Sequence, residues 1–138
     1  MTTKEYLSQA YRIDQRIDSK LEQVLSLRAL LGKATATLTE TPRSATLDPR
    51  SMEDVVAKMV DLETEINEDI DTLVDLKQEI TRVIKGVENP EHQTLLELRY
   101  LCFRRWEDIA VELGYTSRHM FRIHDLAVTS VRLPPDSG

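Results

Sequence analysis

The stretch SMEDVVAKMVDLETEINEDIDTLVDLKQEITRVIKGV, residues 51–87, decides the fold class. Apolar residues recur in it at intervals of seven, at Met52, Met59, Ile66, Leu73, Ile80 and Val87. A partner row holds Val55, Leu62, Leu76 and Val83. Only Asp69 interrupts that row, so the pattern predicts a long helix that packs as a coiled coil. Asp48 and Pro49 supply an N-cap and a first-turn proline, with Ser51 as an alternative cap, which places the helix at about 49–86.

A second long helix is predicted ahead of it, at about 3–31, where the chain has neither proline nor glycine. Heptad spacing relates Ala10, Ile17, Val24 and Leu31, with Tyr6, Ile13 and Leu27 on the interleaved positions. Lys20 breaks the interleaved row. Gly32 is expected to end this helix. Residues 33–48 lose the period and gather Thr, Ser and Pro, which predicts a flexible connector.

The two helices differ in charge. Residues 53–79 contain ten acids and two lysines, whereas residues 4–33 contain six bases and four acids. An antiparallel hairpin over residues 1–88 is therefore the simplest arrangement. Two helices alone leave apolar side chains beside the main rows uncovered, namely Leu25, Val56, Ile70 and Ile84. We expect dimerisation through the hairpin to cover them, with packing of the C-terminal module against one end as the competing explanation.

The C-terminal part, residues 89–138, is predicted to form a module of three short helices. Their expected extents are 90 to 102 or 103, 105 or 106 to 113, and 117 to 131. Ala110, Gly114 and Met120 have the spacing of a helix-turn-helix, with a small residue at the crossing, glycine at the turn and an apolar anchor beyond it. The predicted fold class is thus all-α, a coiled-coil hairpin followed by a helix-turn-helix module.

The segment WEDIAVELGYTSRHMFRIHDLA, residues 106–127, resembles the fourth region of sigma-70-type factors. It is still more similar to the ArpU-like and RinA-like late transcription regulators of phages and prophages, and the resemblance covers residues 90–133. The resemblance implies that the third helix of the module binds double-stranded DNA in the major groove. It implies that the helix presents five side chains to the groove, those of Thr116, Ser117, Arg118, His119 and Arg122.

The residue types in this segment support DNA binding independently. Between Gly114 and His124 there are two arginines, two histidines and no acid, a positive strip in a chain of net charge −6. Arg104 and Arg105 flank the strip, and we predict that they contact the DNA backbone. Phe121 lies among exposed positions of that helix, where it either contacts a thymine methyl or packs at an interface.

Other functional classes find less support. The single cysteine, Cys102, allows no internal disulfide and is expected to be a small buried side chain. No metal-ligand spacing and no catalytic constellation are present, so we expect no metal, no cofactor and no enzymatic activity. Neither a membrane span nor a signal peptide is recognisable, which predicts a cytoplasmic protein.

The leading functional prediction is a dimeric, sequence-specific DNA-binding transcription regulator, with RNA polymerase as a further candidate partner. One alternative is a DNA-packaging subunit resembling the small terminase proteins, which combine a helix-turn-helix with an oligomerising hairpin. Another is an adaptor that docks on RNA polymerase without touching DNA, since a fold alone does not fix a function.

Overall fold

The computed structural model describes residues 1–40 and 49–135, and within these ranges all regular secondary structure is helical. The helices are α1 (Thr3–Leu7), α2 (Gln9–Glu40), α3 (Pro49–Lys85), α4 (Pro90–Tyr100), α5 (Trp106–Leu113) and α6 (Ser117–Thr129). The all-α prediction is confirmed.

The N-terminal helical segment starts at a capping box. The Thr2 hydroxyl accepts a hydrogen bond from the Glu5 backbone N–H, and the Glu5 carboxylate accepts one from the Thr2 N–H. Ser8 separates α1 from α2, yet its N–H donates to the Lys4 carbonyl and its own carbonyl accepts from the Arg12 N–H. The helical path therefore continues through Ser8.

The structure differs from the sequence prediction at Gly32. Helix α2 does not end there but continues to Glu40, so residues 33–40 of the predicted connector are helical. Gly32 is exposed, and a glycine inside an exposed helix costs only about 1 kcal/mol relative to alanine. The next turn buries Ala34, which favours continuation of the helix. The rest of the connector, 41–48, lies outside the described residues, as does the predicted cap Asp48.

The chain forms two compact units, and their boundary also differs from the predicted one at residue 88. Asp14–Asp71 form one unit, here called the hairpin unit. Met1–Ile13 and Thr72–Gly138 form the other, here called the helix-turn-helix unit. The start of the first long helix and the end of the second thus belong with the C-terminal helices.

In the hairpin unit, α2 and α3 run antiparallel. Arg16 pairs with Asp69 at 3.9 Å, whereas Arg28, three turns further along α2, pairs with Glu63 at 3.9 Å. Residue numbers therefore rise along one helix as they fall along the other. Among the residues of this unit whose burial the structure describes, the buried apolar side chains are Ile17, Val24, Ala34, Leu62 and Ile66.

A buried ion pair joins the two polar residues that interrupt the heptad rows. Lys20 Nζ lies 2.6 Å from Asp69 Oδ2, and the two side chains are only 14% and 12% exposed. Glu65 lies 3.6 Å from the same ammonium group. Each of the two charged side chains occupies a heptad row that is otherwise apolar. Lys20 and Asp69 therefore meet and compensate each other's charge only when the helices have this register.

The helix-turn-helix unit has two apolar clusters. The first contains Tyr6, Leu7, Ala10, Ile80, Ile84, Val87, Leu96, Tyr100 and Ala127. The second contains Leu95, Ile109, Ala110, Met120 and Ile123. Ile84, predicted to be uncovered by the two long helices, is only 1% exposed. Packing of the C-terminal module, the competing explanation, accounts for its burial. Leu25, Val56 and Ile70 are exposed as expected, at 61%, 47% and 42%.

We predict that Asp69→Ala lowers the free energy of unfolding by about 2–3 kcal/mol, because it leaves Lys20 buried with only the more distant Glu65. The double variant K20M/D69L should instead be within about 1 kcal/mol of wild type or more stable, since apolar side chains then complete both rows. Urea denaturation at pH 7 measures both. Asp71→Ala, which removes an exposed carboxylate of the same helix, is the control. A single variant as stable as that control would contradict the assigned role of the pair.

Candidate nucleic-acid interface

The turn between α5 and α6 has the geometry that its sequence predicts. Gly114 has a φ of +71°, in the left-handed region where a side chain would be strained. The Tyr115 N–H donates to the Ala110 carbonyl at 2.8 Å, which closes the end of α5. Thr116 caps α6, since its hydroxyl accepts a hydrogen bond from the His119 N–H at 3.1 Å. The backbone itself therefore fixes how α6 leaves the turn.

Helix α6 is amphipathic, and the side chains of its inner face are buried. Its buried residues are Met120, Ile123, His124 and Ala127. Met120, predicted as the apolar anchor, is 1% exposed and packs in the same cluster as Ile109 and Ala110 of α5. With its inner face packed, the helix holds its outer face at a defined orientation.

The structure brings the predicted groove-facing residues together on one surface. Thr116, Ser117, Arg118 and Arg122 are exposed. His119 is half-buried, because the Tyr115 ring lies edge-on to it at 4.7 Å between centroids. These positions, Ser117 excepted, line a shallow groove together with Phe121 and Asp125.

The two arginines of α6 differ in their surroundings. Arg122 Nη2 lies 3.4 Å from His119 Nδ1, a contact that limits its side-chain rotamers. The Arg118 guanidinium has no hydrogen bond or ion pair with any residue that the structure describes. Arg118 is thus the arginine of this surface that is most available to an external acceptor.

The two flanking arginines are engaged by acids of α5. Arg104 forms an ion pair with Glu112. Arg105 lies 3.4 Å from Asp108 and 3.9 Å from Glu107, although its side chain is 77% exposed. The segment of the sequence without acids did not predict these pairs. They reduce the positive charge beside α5, so the arginines of α6 are the main source of positive charge on this surface.

Two aromatic residues, Phe121 and Trp106, complete this part of the surface. Phe121 packs on Trp106, with 5.3 Å between ring centroids and 58° between planes, and stays 45% exposed. Trp106 also carries the Arg99 guanidinium 4.2 Å from its ring centroid. Phe121 therefore packs within its own chain, and both of the roles considered for its exposed part stay predictions.

His124 holds α6 against α4. Its Nε2 lies 2.7 Å from the Tyr100 hydroxyl, and the Trp106 ring is edge-on at 4.6 Å. Burial, assisted by the positive charge of Lys4, lowers the pKa of His124 to about 4. Burial likewise raises the pKa of Tyr100 to about 12. The imidazole is therefore neutral at physiological pH and supports α6 from its inner side.

Cys102 is exposed, in contrast to the expectation of burial. It follows α4 in the irregular segment before α5. Within the ranges 1–40 and 49–135, no three His, Cys, Asp or Glu side chains are grouped so as to hold a metal ion. In the same ranges, each helix is too short or too polar to cross a bilayer.

Residues 44–132, more than half of the chain, match the model of a protein family that is described as a protein of unknown function, DUF1492. No curated protein and no solved structure matches the chain.

We predict that His124 makes the stability depend on pH. Its pKa is about 4 in the folded protein and about 6.5 in the unfolded chain, so the unfolded state binds more protons between these values. The free energy of unfolding should be constant above about pH 6.5 and fall by about 3 kcal/mol towards pH 4. Urea denaturation across this range should show a much flatter profile for His124→Gln, whereas His92→Gln, on α4, keeps the wild-type profile. Parallel profiles for H124Q and wild type would show that another group is responsible.

Proposed function

The chain belongs to the DUF1492 family, and we propose that it is a sequence-specific DNA-binding transcription regulator of the phage or prophage type. In this proposal α5 and α6 are the helix-turn-helix and α6 enters the major groove. One observation carries it: Arg118 and Arg122 lie one turn apart on the exposed face of a helix whose opposite face is buried.

The chemistry of this face suits base recognition. A guanidinium group can donate two hydrogen bonds to O6 and N7 of guanine. Arg118, without a partner among the described residues, is the stronger candidate for that contact. Thr116 and Ser117 lie at the N-terminus of α6, where hydroxyls and free backbone N–H groups favour a phosphate. The same helix thus offers both base readout and backbone anchoring.

The charge distribution supports recognition through α6. The chain has a net charge of −6, and the acids of α3 disfavour non-specific attraction to a polyanion. Few cations are then available to neutralise phosphates, so the affinity should depend weakly on salt. Specificity in such a protein comes from base contacts, and the proposal assigns the protein no catalytic role.

We further propose that two copies associate through the hairpin unit. Its exposed apolar residues include Leu21, Leu25, Val56, Val60 and Ile70. Arg28 and Glu63 lie beside Leu21 and Leu25 along one groove, so the surface carries both charges. A two-fold axis can pair such a surface with itself. A dimer would present two recognition helices to a repeated DNA site.

We predict that Arg118→Ala weakens binding to the cognate duplex by about 1–3 kcal/mol and has much less effect on scrambled DNA. Selection from a random DNA pool defines the cognate sequence, and fluorescence titration at two salt concentrations gives the affinities. Arg132→Ala, an exposed arginine outside the groove, is the matched control. If wild type binds both duplexes equally, or R118A and R122A bind like wild type, base reading by α6 is wrong and the adaptor alternative takes its place.

We predict that the double variant L25D/I70D halves the mass that light scattering measures, because it would place unpaired carboxylates in the dimer interface. Val111→Asp adds a charge at an 82% exposed position of α5 and should leave the mass unchanged. Equal masses for L25D/I70D and wild type would contradict this interface. A wild-type assembly of eight or more copies would instead favour the packaging alternative.

A further inference from the structure

A cleft of about 460 Å³ lies beside α6 in the helix-turn-helix unit. One wall comes from the N-terminal helices, with Lys4, Ser8 and Tyr11. These three residues have the i, i+4, i+7 spacing that places side chains on one helical face. Arg105 and Phe121 are among the residues of the other walls.

The cleft is continuous with the groove of the proposed DNA interface. Phe121 and Asp125 of α6 line both. A duplex that accommodates α6 in its major groove has a phosphate backbone on either side of that helix. One of these strands would then pass over the cleft.

We propose that Lys4, Ser8 and Tyr11 bind the DNA backbone and hold a phosphate in this cleft while α6 reads the bases. The inference rests on the proposed function, and it adds the N-terminal helices to the interface. The ammonium group and the two hydroxyls can all donate hydrogen bonds, and phosphate oxygens accept them.

The charged groups of the cleft are accessible to a ligand. Lys4 lies 4.0 Å from Asp125, but the side chains are 60% and 72% exposed, so solvent weakens this pair. A phosphate can replace the Asp125 carboxylate as the partner of Lys4. Arg105, itself highly exposed, provides a second cation at the rim.

Tyr11 is held in place by packing. The centroid of its ring lies 5.5 Å from the centroid of the Phe103 ring. The Lys77 ammonium group lies 4.6 Å from the centroid of the Phe103 ring. Phe103 itself adopts a left-handed φ of +58°, unusual for a phenylalanine. These contacts fix the ring of Tyr11, which is 42% exposed at the cleft.

The test compares Lys4→Gln and Tyr11→Phe with wild type on cognate and scrambled duplexes over a salt series. K4Q should weaken both complexes about 3–10-fold and reduce the magnitude of the log–log salt slope by about 0.9 for one lost phosphate contact. Y11F keeps the ring and removes only the hydroxyl, so it should weaken both complexes about 2–5-fold without changing the slope. Lys85→Gln, the same charge change outside the cleft, should keep the wild-type slope. Thermal melting by circular dichroism shows whether each variant is folded.

The outcomes separate this inference from the proposed function. If R118A loses its preference for the cognate duplex while K4Q behaves like K85Q, the cleft assignment is wrong and base reading by α6 stands. If wild type binds no duplex, both fail. A last measurement titrates the protein with adenosine monophosphate in the absence of DNA. Saturation at micromolar concentration that K4Q abolishes would make the cleft a small-nucleotide site and overturn the backbone contact.

Discussion

The position of α6 depends on one buried apolar cluster. Leu7 of α1, Ile84 of α3, Leu96 of α4 and Ala127 of α6 all belong to it, and each is at most 1% exposed. Burial of a large apolar side chain stabilises the fold by about 1.5–3 kcal/mol. Residues of α1, α3 and α4 thus hold α6, and any change that loosens α1 or the end of α3 also loosens the exposed face of α6.

The sequence predicts where α4, α5 and α6 begin because local signals mark these positions, but α4 ends at Tyr100 and α6 at Thr129, two or three residues before the predicted ends. Asn89 and Pro90 start α4, Gly114 ends α5 at the predicted turn, and Thr116 caps α6. Unit boundaries do not follow from such signals. The heptad row of α3 continues from Ile66 to Ile80 without a change in pattern, so the row alone cannot show that its last residues pack in a different unit.

The two interruptions of the heptad rows illustrate the same limit. Lys20 and Asp69 are recognisable as polar breaks, but their pairing depends on an antiparallel register across 49 residues. Gly32 shows the opposite case, because this local signal predicts a helix end where the helix continues. Glycine permits a helix end without imposing one, and the packing of Ala34 decides the outcome.

The candidate site combines residues that the sequence identifies with others that it cannot. Arg118 and Arg122 stand out because the sequence from Gly114 to His124 contains no acid, whereas Lys4 and Tyr11 lie more than a hundred residues away and join α6 only through the fold. Acids of α5 also affect the site, because Glu112 forms an ion pair with Arg104 and Asp108 forms one with Arg105. In the proposed complex, the acids of the chain would repel the duplex wherever they face it, which favours an approach through α6.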